Sequence, residues 1–350
     1  MKERQSNIEL LRILSTIGVI ILHYNNREIG GAFLYTQGLS LNHAILVVFE
    51  SVAVCAVDLF IMISGYFLAK KNERDLLKVI QLIFQVMVFS ELIYLVRGIL
   101  SRGELSIRGI LMAAIPNNYF VTLYCVLYVL SPLINFSINR ISKKYLFRTL
   151  IMVFLIFSIF PSIVDFMNTV SNRSWNGLST IGMFGSQWGY TIVNFSLMYC
   201  MGAFLREVEL ERIKLHVLTV SQILFISVIS LLAWFNEDVS WSYCSPLVIL
   251  EAIGFMLIFL KTNIGSIRII NNLSKACFTC FLTHTLFLKF VGIKQFSTGN
   301  PIVLIIHVLL SALAIFLACF IVNLAYSFGT SFIWNKMGKN RFSIQYEDLK

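Results

Sequence analysis

Charged residues are scarce in this chain, and its cysteines form no recognisable framework. Only 13% of the 350 residues are Asp, Glu, Lys or Arg, while 57% are hydrophobic. A soluble domain of this length needs more surface charge, so that class is excluded. The seven cysteines are odd in number and nearly all fall in apolar segments, which excludes a disulfide scaffold and favours buried thiols. The sequence therefore predicts a polytopic membrane protein.

A cleavage site and a long polar segment are also missing. Lys2 and Arg4 precede an apolar run, as in a signal peptide, but no small-residue cleavage site follows. We therefore expect this run to be an uncleaved first span. No segment between apolar runs is long enough for a separate domain. We predict one integral membrane domain over residues 1–330 and a short cytoplasmic tail over residues 331–350.

Apolar segments of about 20 residues, the length that crosses a bilayer, recur along the chain. They predict an all-α helical membrane bundle with about ten transmembrane helices, at residues 8–27, 45–68, 78–97, 118–137, 147–166, 188–205, 215–235, 243–260, 273–292 and 302–326. Most Lys and Arg residues fall on the side of the N-terminus, so the positive-inside rule predicts that both termini are cytoplasmic. The net charge of +10 then reflects topology and contact with anionic membrane lipid, and it requires no nucleic-acid partner.

Arg12 and His23 stand at the two ends of the apolar run in the first predicted span. Eleven residues on an α-helix come within about 20° of whole turns, so both side chains lie on one face, about 16 Å apart along the axis. Ionisable residues on a bilayer helix are costly and indicate a functional site. The alternative is that Arg12 extends to the lipid headgroups and His23 only reaches the outer interface.

Three segments together resemble one known family. ELLRILSTIGVIILH at 9–23 is similar to the first helix of the acyltransferase-3 family, the integral membrane O-acyltransferases of bacterial surface glycans, in which an Arg is followed eleven residues later by a His. AVDLFIMISGYFL at 56–68 resembles the second-helix motif of that family, and LSKACFTCFLTHTLF at 273–287 resembles its late helix with a Ser, an aromatic run and a His. Ile61, Tyr66 and Phe281 differ from the residues usual at their positions.

The resemblance implies a reaction and a location. A multi-pass enzyme of the bacterial cytoplasmic membrane would move an acetyl group from cytoplasmic acetyl-CoA to a hydroxyl of a cell-surface polysaccharide, such as a capsule, or of its lipid-linked precursor. Acetyl-CoA and the glycan would be its partners, and no permanently bound cofactor is expected. A transporter or flippase for lipid-linked glycan is the alternative, since it would also have a polar cavity but would not require a catalytic base.

Two residues are predicted to be catalytic. Transfer from a thioester to a sugar hydroxyl needs a base, and a histidine titrates near neutral pH, so His23 is the candidate. His23 would either deprotonate the acceptor directly or first become acetylated. Asp58 lies in the middle of an apolar segment, where it is predicted to orient His23 or Arg12. The alternative for Asp58 is a structural polar contact between helices.

Four residues are predicted to bind substrate. Arg12 presents a planar fork of donors suited to a phosphate of acetyl-CoA. Glu9 lies one helical turn earlier and would orient Arg12, with a solvated interfacial acid as the alternative. Ser64 and His284 are the other two. For Ser64 the alternative is close packing between helices, and for His284 it is a structural histidine between helices.

A metal site near His284 is not expected. Cys277 and Cys280 share a helical face with His284 and superficially resemble a set of metal ligands. A tetrahedral site needs further ligands, and the neighbouring sequence supplies none at a characteristic spacing. We therefore predict no metal.

Overall fold

The chain folds into helices over most of its length, as its apolar segments predict. The computed structural model describes residues 5–36, 38–71, 73–100, 105–171, 175, 178–182, 185–337 and 343–344. The α-helices are α1 Ser6–Asn25, α2 Ala32–Tyr35, α3 Leu41–Ala53, α4 Ala56–Leu68, α5 Leu76–Leu100, α6 Ile107–Ala113, α7 Tyr119–Arg140, α8 Lys143–Phe154, α9 Phe160–Ser171, α10 Ile192–Leu205, α11 Leu215–Ala233, α12 Glu237–Ser240, α13 Pro246–Lys261, α14 Arg268–Leu273, α15 Cys277–Phe287, α16 Ile293–Ser297 and α17 Pro301–Met337.

Short elements complete the architecture. A π-helical segment, Leu155–Ile159, joins α8 to α9. Turns of 3-10 helix lie at Gln187–Gly189, Leu210–Arg212, Ser274–Ala276 and Leu288–Phe290. The two-residue strands β1 (Arg74–Asp75) and β2 (Ser343–Ile344) pair antiparallel, with Arg74 opposite Ile344. The 3-10 turn Ser274–Ala276 joins α14 directly to α15, so these three elements form one continuous helical segment.

Within the described ranges, seven helical segments are long and apolar enough to cross a membrane, so the chain is a multi-pass membrane protein. They are Ser6–Asn25, Leu41–Leu68, Leu76–Ile99, Tyr119–Arg140, Lys143–Ser171, Leu215–Ala233 and Pro301–Lys336. The other three predicted spans coincide with the shorter helices α10, α13 and α15, the last with a 3-10 turn on either side. The count of about ten spans and the cytoplasmic termini stay predictions.

The predicted domain boundary at residue 330 falls inside a helix. Helix α17 continues to Met337, and the division into a membrane domain and a tail stays a prediction. Residues 338–342 and 345–350 of the predicted tail lie outside the described residues.

Helix α1 occupies the centre of the bundle, where it packs against α3, α4, α13, α14, α15 and α17. It runs parallel to α14–α15 in a constant register. The backbone N–H of Ile267 donates to Ser6 Oγ at 2.6 Å, and His284 Nε2 lies 2.9 Å from His23 Nδ1. Both pairs are 261 residues apart in sequence, so the two segments stay level along their length.

Helices α3 and α4 run antiparallel to α1. Asn25 Nδ2 donates to the carbonyl of Leu46 at 3.3 Å, and the Cα of Gly18 faces Ala53 so closely that an added Cβ would lie 3.5 Å from the Ala53 Cβ. This register places Asp58 level with Ile13, about ten residues and hence about 15 Å below His23 along the axis. Asp58 and His23 therefore lie at different depths.

Small residues allow α4 and α10 to pack backbone against backbone. A side chain at Gly65 would collide with the Tyr199 carbonyl, and one at Gly202 would collide with the Met62 carbonyl. The sequence offers close packing between helices as the alternative role for Ser64. In the structure it is the next residue, Gly65, that allows this close packing.

A buried arginine closes the adjoining end of α4. Arg74 is 1% exposed, and its Nε donates to Ser131 Oγ at 2.7 Å. Its Nη1 donates to the carbonyls of Lys71 and Glu73, and its Nη2 donates to the carbonyl of Leu68. The guanidinium thus joins the last residue of α4 to the turn that follows it, by donating to carbonyls of both.

Candidate active site

Two histidines from distant parts of the sequence meet between α1 and α15. His23 lies in the last turn of α1 and is partly exposed, whereas His284 is 1% exposed. Their ring centroids are 4.7 Å apart, and His284 Nε2 lies 2.9 Å from His23 Nδ1. The structure therefore brings together a predicted catalytic residue and a predicted substrate-binding residue.

Backbone carbonyls determine which ring nitrogens carry protons. His284 Nδ1 lies 2.7 Å from the Cys280 carbonyl and His23 Nδ1 lies 3.0 Å from the Val19 carbonyl, so both Nδ1 atoms must be donors. His284 Nε2 then accepts from the same Nδ1–H of His23, because two donors cannot face each other. This arrangement describes two neutral rings. It leaves the lone pair of His23 Nε2 free to accept a proton, and no hydrogen bond within the described residues engages that atom.

The pair has the arrangement of a base held by a partner. When His23 Nε2 takes a proton, the ring becomes positively charged, and His284 Nε2 together with the Val19 carbonyl accept hydrogen bonds from its Nδ1–H. A third group that fixes the orientation of a basic histidine is the general logic of nucleophile and base assemblies. His284 is therefore suited to position His23.

At the other end of α1, Arg12 and Glu9 form the ion pair that their spacing predicts. Arg12 Nη1 lies 2.7 Å from Glu9 Oε2, and the Glu9 side chain is 8% exposed against 30% for Arg12. The buried carboxylate holds the guanidinium at the helix surface and leaves its remaining donors for a ligand. The ion pair has the geometry by which Glu9 would orient Arg12, and a role of either residue in binding substrate stays a prediction.

A polar pocket of about 400 Å³ lies at the same end, lined by Ser266, Arg268, Asn271, Asn272 and Lys275. In the constant register of α1 with α14–α15, Arg12 is level with Leu273 and so lies within the height of this pocket. Three cationic side chains therefore collect at one end of the histidine-bearing helix pair: Arg12, Arg268 and Lys275. The sequence does not single out Arg268 and Lys275 as site residues, because basic residues that flank an apolar run also mark an ordinary membrane boundary.

Asp58 does not contact the residues it was expected to orient. It is 1% exposed and lies beside Asn194, and the described hydrogen bonds and ion pairs include none from Asp58 to His23 or Arg12. Glu251, which is fully buried, is its acidic neighbour. Antiparallel packing puts Asp58 about 15 Å from the level of His23, which separates the two side chains, and places it at the level of Ile13, beside the height of Arg12. A catalytic role for Asp58 stays a prediction.

Ser64 lies in an aromatic layer that leads toward α15. Its hydroxyl donates to the Phe60 carbonyl at 2.9 Å and lies 3.2 Å from the Tyr124 hydroxyl. Tyr124 stacks on Phe120, whose ring centroid is 4.9 Å from that of Phe281 on α15. Ser64 is thus linked to α15 through aromatic rings, and its role in substrate binding stays a prediction.

Comparison with known protein families identifies the class of protein to which this chain belongs. The profile of the acyltransferase-3 family, an acyltransferase domain, matches residues 5–324. No curated protein and no solved structure shows significant similarity to the chain. The match covers nearly the whole chain, so this protein is a multi-pass membrane acyltransferase. It belongs to the acyltransferase-3 family, as the motifs around Arg12, His23 and His284 indicate.

Proposed function

We propose that the protein is an O-acetyltransferase that moves acetyl from cytoplasmic acetyl-CoA to a hydroxyl of a cell-surface polysaccharide or of its lipid-linked precursor. The observation that carries this proposal is the histidine pair, in which His284 holds His23 with the lone pair of its Nε2 free. A free imidazole lone pair is what a general base for a sugar hydroxyl requires. Family membership supports acyl transfer, and the acetyl donor and glycan acceptor are those that the resemblance of the motifs implies.

The reaction balances around His23. The acceptor hydroxyl gives its proton to His23 Nε2 while its oxygen attacks the thioester carbonyl, so an ester C–O bond forms. The C–S bond breaks, and the CoA thiolate leaves and takes the proton from His23. The base is thereby restored, and the products are the O-acetyl sugar and free CoA.

The donor end of the proposal rests on the cationic pocket. Arg268 and Lys275 supply positive charge beside the Asn271 and Asn272 amides, and Arg12 lies level with this pocket on the neighbouring helix α1. Positive charge of this kind is the chemistry that binds the phosphates of CoA. Arg12 lies about 16 Å from His23 along the helix axis. A bound CoA would extend its flexible arm along α1 and α15 and deliver the thioester toward the histidine pair.

The full-length protein, purified and reconstituted in lipid nanodiscs, tests the function directly. With acetyl-CoA labelled in the acetyl group and cell-envelope polysaccharide as acceptor, we expect release of free CoA and hydroxylamine-labile label on the polysaccharide. A transporter or flippase would release no CoA, and that result would refute the proposal.

A matched pair of arginine variants tests the donor site. Arg12→Lys keeps the charge but loses the planar fork, so we expect roughly tenfold weaker binding of acetyl-CoA. Arg212 pairs with Glu209 at 2.7 Å and with the same i,i+3 spacing, but it lies on the 3-10 turn Leu210–Arg212 and not on α1. Arg212→Lys should therefore leave acetyl-CoA binding unchanged. Equal affinities of the wild type and Arg12→Lys would place Arg12 outside the donor site.

A further inference from the structure

A second polar pocket lies at the His23 end of α1, opposite to the cationic donor pocket. It has a volume of about 570 Å³ and lies between the turn that follows α1 and the segment that follows α15. Its polar lining comprises Tyr35, Lys289, Lys294, Gln295 and Thr298. We call it the outer pocket, after the predicted side of the membrane on which it lies.

The outer pocket adjoins the histidine pair on both helices. Gly30 lines the pocket, and its backbone N–H donates to the His23 carbonyl at 2.9 Å. Leu288 also lines it and lies one helical turn, about 6 Å, beyond His284. A group bound there would therefore lie about one turn from His284, the hydrogen-bond partner of the proposed base His23.

The outer pocket carries positive charge without a matching acid. Its lining contains Lys289 and Lys294 and no acidic residue. Within the described ranges neither lysine forms an ion pair, whereas Arg27 on the same side pairs with Glu237 at 2.6 Å. Lys294 Nζ lies 5.7 Å from the centre of the Tyr35 ring. Two unpaired ammonium groups in a concave polar site attract an anion.

We propose that the outer pocket binds the anionic group, a phosphate or a carboxylate, of an acidic acceptor saccharide. The inference rests on the proposed function for the acceptor's identity, because it deepens the assignment of that same site. Lys289 and Lys294 bind the charge. Gln295, Thr298 and Tyr35 supply donors and acceptors for neighbouring sugar hydroxyls. Charge in this pocket thus selects the substrate class and places the acceptor near His23.

Binding of small methyl glycosides tests the outer pocket without any need for catalysis. The full-length protein in nanodiscs of neutral phosphatidylcholine is titrated by ligand-observed NMR with methyl glucoside, methyl glucuronide and methyl glucoside 6-phosphate. We expect at least one anionic glycoside to bind about tenfold more tightly than the neutral one, since hydrogen bonds to charged groups are the stronger ones. The tighter of the two anions identifies the group, and 0.5 M salt should reduce the preference.

Variants that remove positive charge test whether the two lysines cause the preference for anionic glycosides. The double variant Lys289→Gln and Lys294→Gln should lose the tenfold preference for the anionic glycoside. Arg108→Gln removes an exposed positive charge from α6, outside the pocket, and should keep it. Equal binding of neutral and anionic glycosides by the wild type, or an unchanged preference in the double variant, would overturn the proposal. Thioester cleavage is measured in the same samples, so charge-selective binding without any cleavage would refute the enzymatic function and leave the pocket assignment standing.

Discussion

Replacing His284 tests whether His23 needs a hydrogen-bond acceptor at its Nδ1. His284→Phe keeps an aromatic ring in the cavity but offers no acceptor, whereas His284→Gln keeps an acceptor oxygen. We expect His284→Phe to impair acetyl transfer and His284→Gln to recover part of it. The reason is that the 2.9 Å contact stabilises the positive charge that develops on His23 when it takes the proton.

The structure sets the size of this effect. A hydrogen bond to a charged group contributes about 1.5–3 kcal/mol. Because each 1.36 kcal/mol corresponds to a tenfold change in rate, His284→Phe should lose roughly ten- to 150-fold in kcat/KM. The assay is release of CoA and transfer of labelled acetyl by protein in nanodiscs at matched concentration. His216→Phe is the control, because His216 is exposed at the start of α11.

Two results would contradict this account of His284. Wild-type activity in His284→Phe would show that His23 needs no acceptor at Nδ1. Equal losses in His284→Phe and His284→Gln, each accompanied by a lower thermal unfolding midpoint, would assign His284 to packing alone.

Three further predictions concern stability in detergent. Gly65→Ala should lower the free energy of unfolding by about 1–3 kcal/mol, because the new methyl group would collide with a backbone carbonyl of α10. Gly329→Ala is the control and should not lower it, because a methyl group there meets nothing within 4 Å. Arg74→Ala should lower the free energy of unfolding by about 3 kcal/mol, because it removes the hydrogen bonds that a buried guanidinium donates to Ser131 Oγ and to the Lys71 carbonyl, and Arg74→Lys should restore part of that. The hydrogen bond from Lys70 lowers the pKa of Glu207, so its stabilisation is present near pH 7 and is lost as the pH falls through that lowered pKa. Glu207→Gln should therefore lower the free energy of unfolding at pH 7 by less than about 1 kcal/mol, and it should have no effect at strongly acidic pH. An unchanged midpoint in Gly65→Ala or Arg74→Ala, or a Glu207→Gln effect that grows in acid, would contradict these assignments.

The spacing of residues along one helix predicts several features of the candidate site. The ion pair between Glu9 and Arg12 follows from i,i+3 spacing on one helix, and the shared face of Arg12 and His23 follows from eleven residues of helical rotation. The apolar segments likewise predicted where helices lie. Such features depend on neighbouring residues alone, so they can be read from the chain.

Contacts between helices could not be read in the same way. His284 meets His23 across 261 residues of sequence, and only the parallel register of α1 with α14–α15 brings the two rings together. The position of Asp58 in the middle of an apolar segment predicts a polar partner, either His23 or Arg12, but antiparallel packing places Asp58 at a different depth from His23. The pocket around Arg268 is built from neighbouring residues, but the position of Arg12 level with it depends on the same register.

The most direct test of the central claim, that His23 Nε2 is the base, is single-turnover acetyl transfer from labelled acetyl-CoA by purified protein at matched levels. His23→Ala should lower the rate about 10²- to 10⁴-fold, the usual cost of losing a general base. His216→Ala, which removes an exposed histidine far from the pair, should keep the wild-type rate. A near-wild-type rate in His23→Ala would contradict the account.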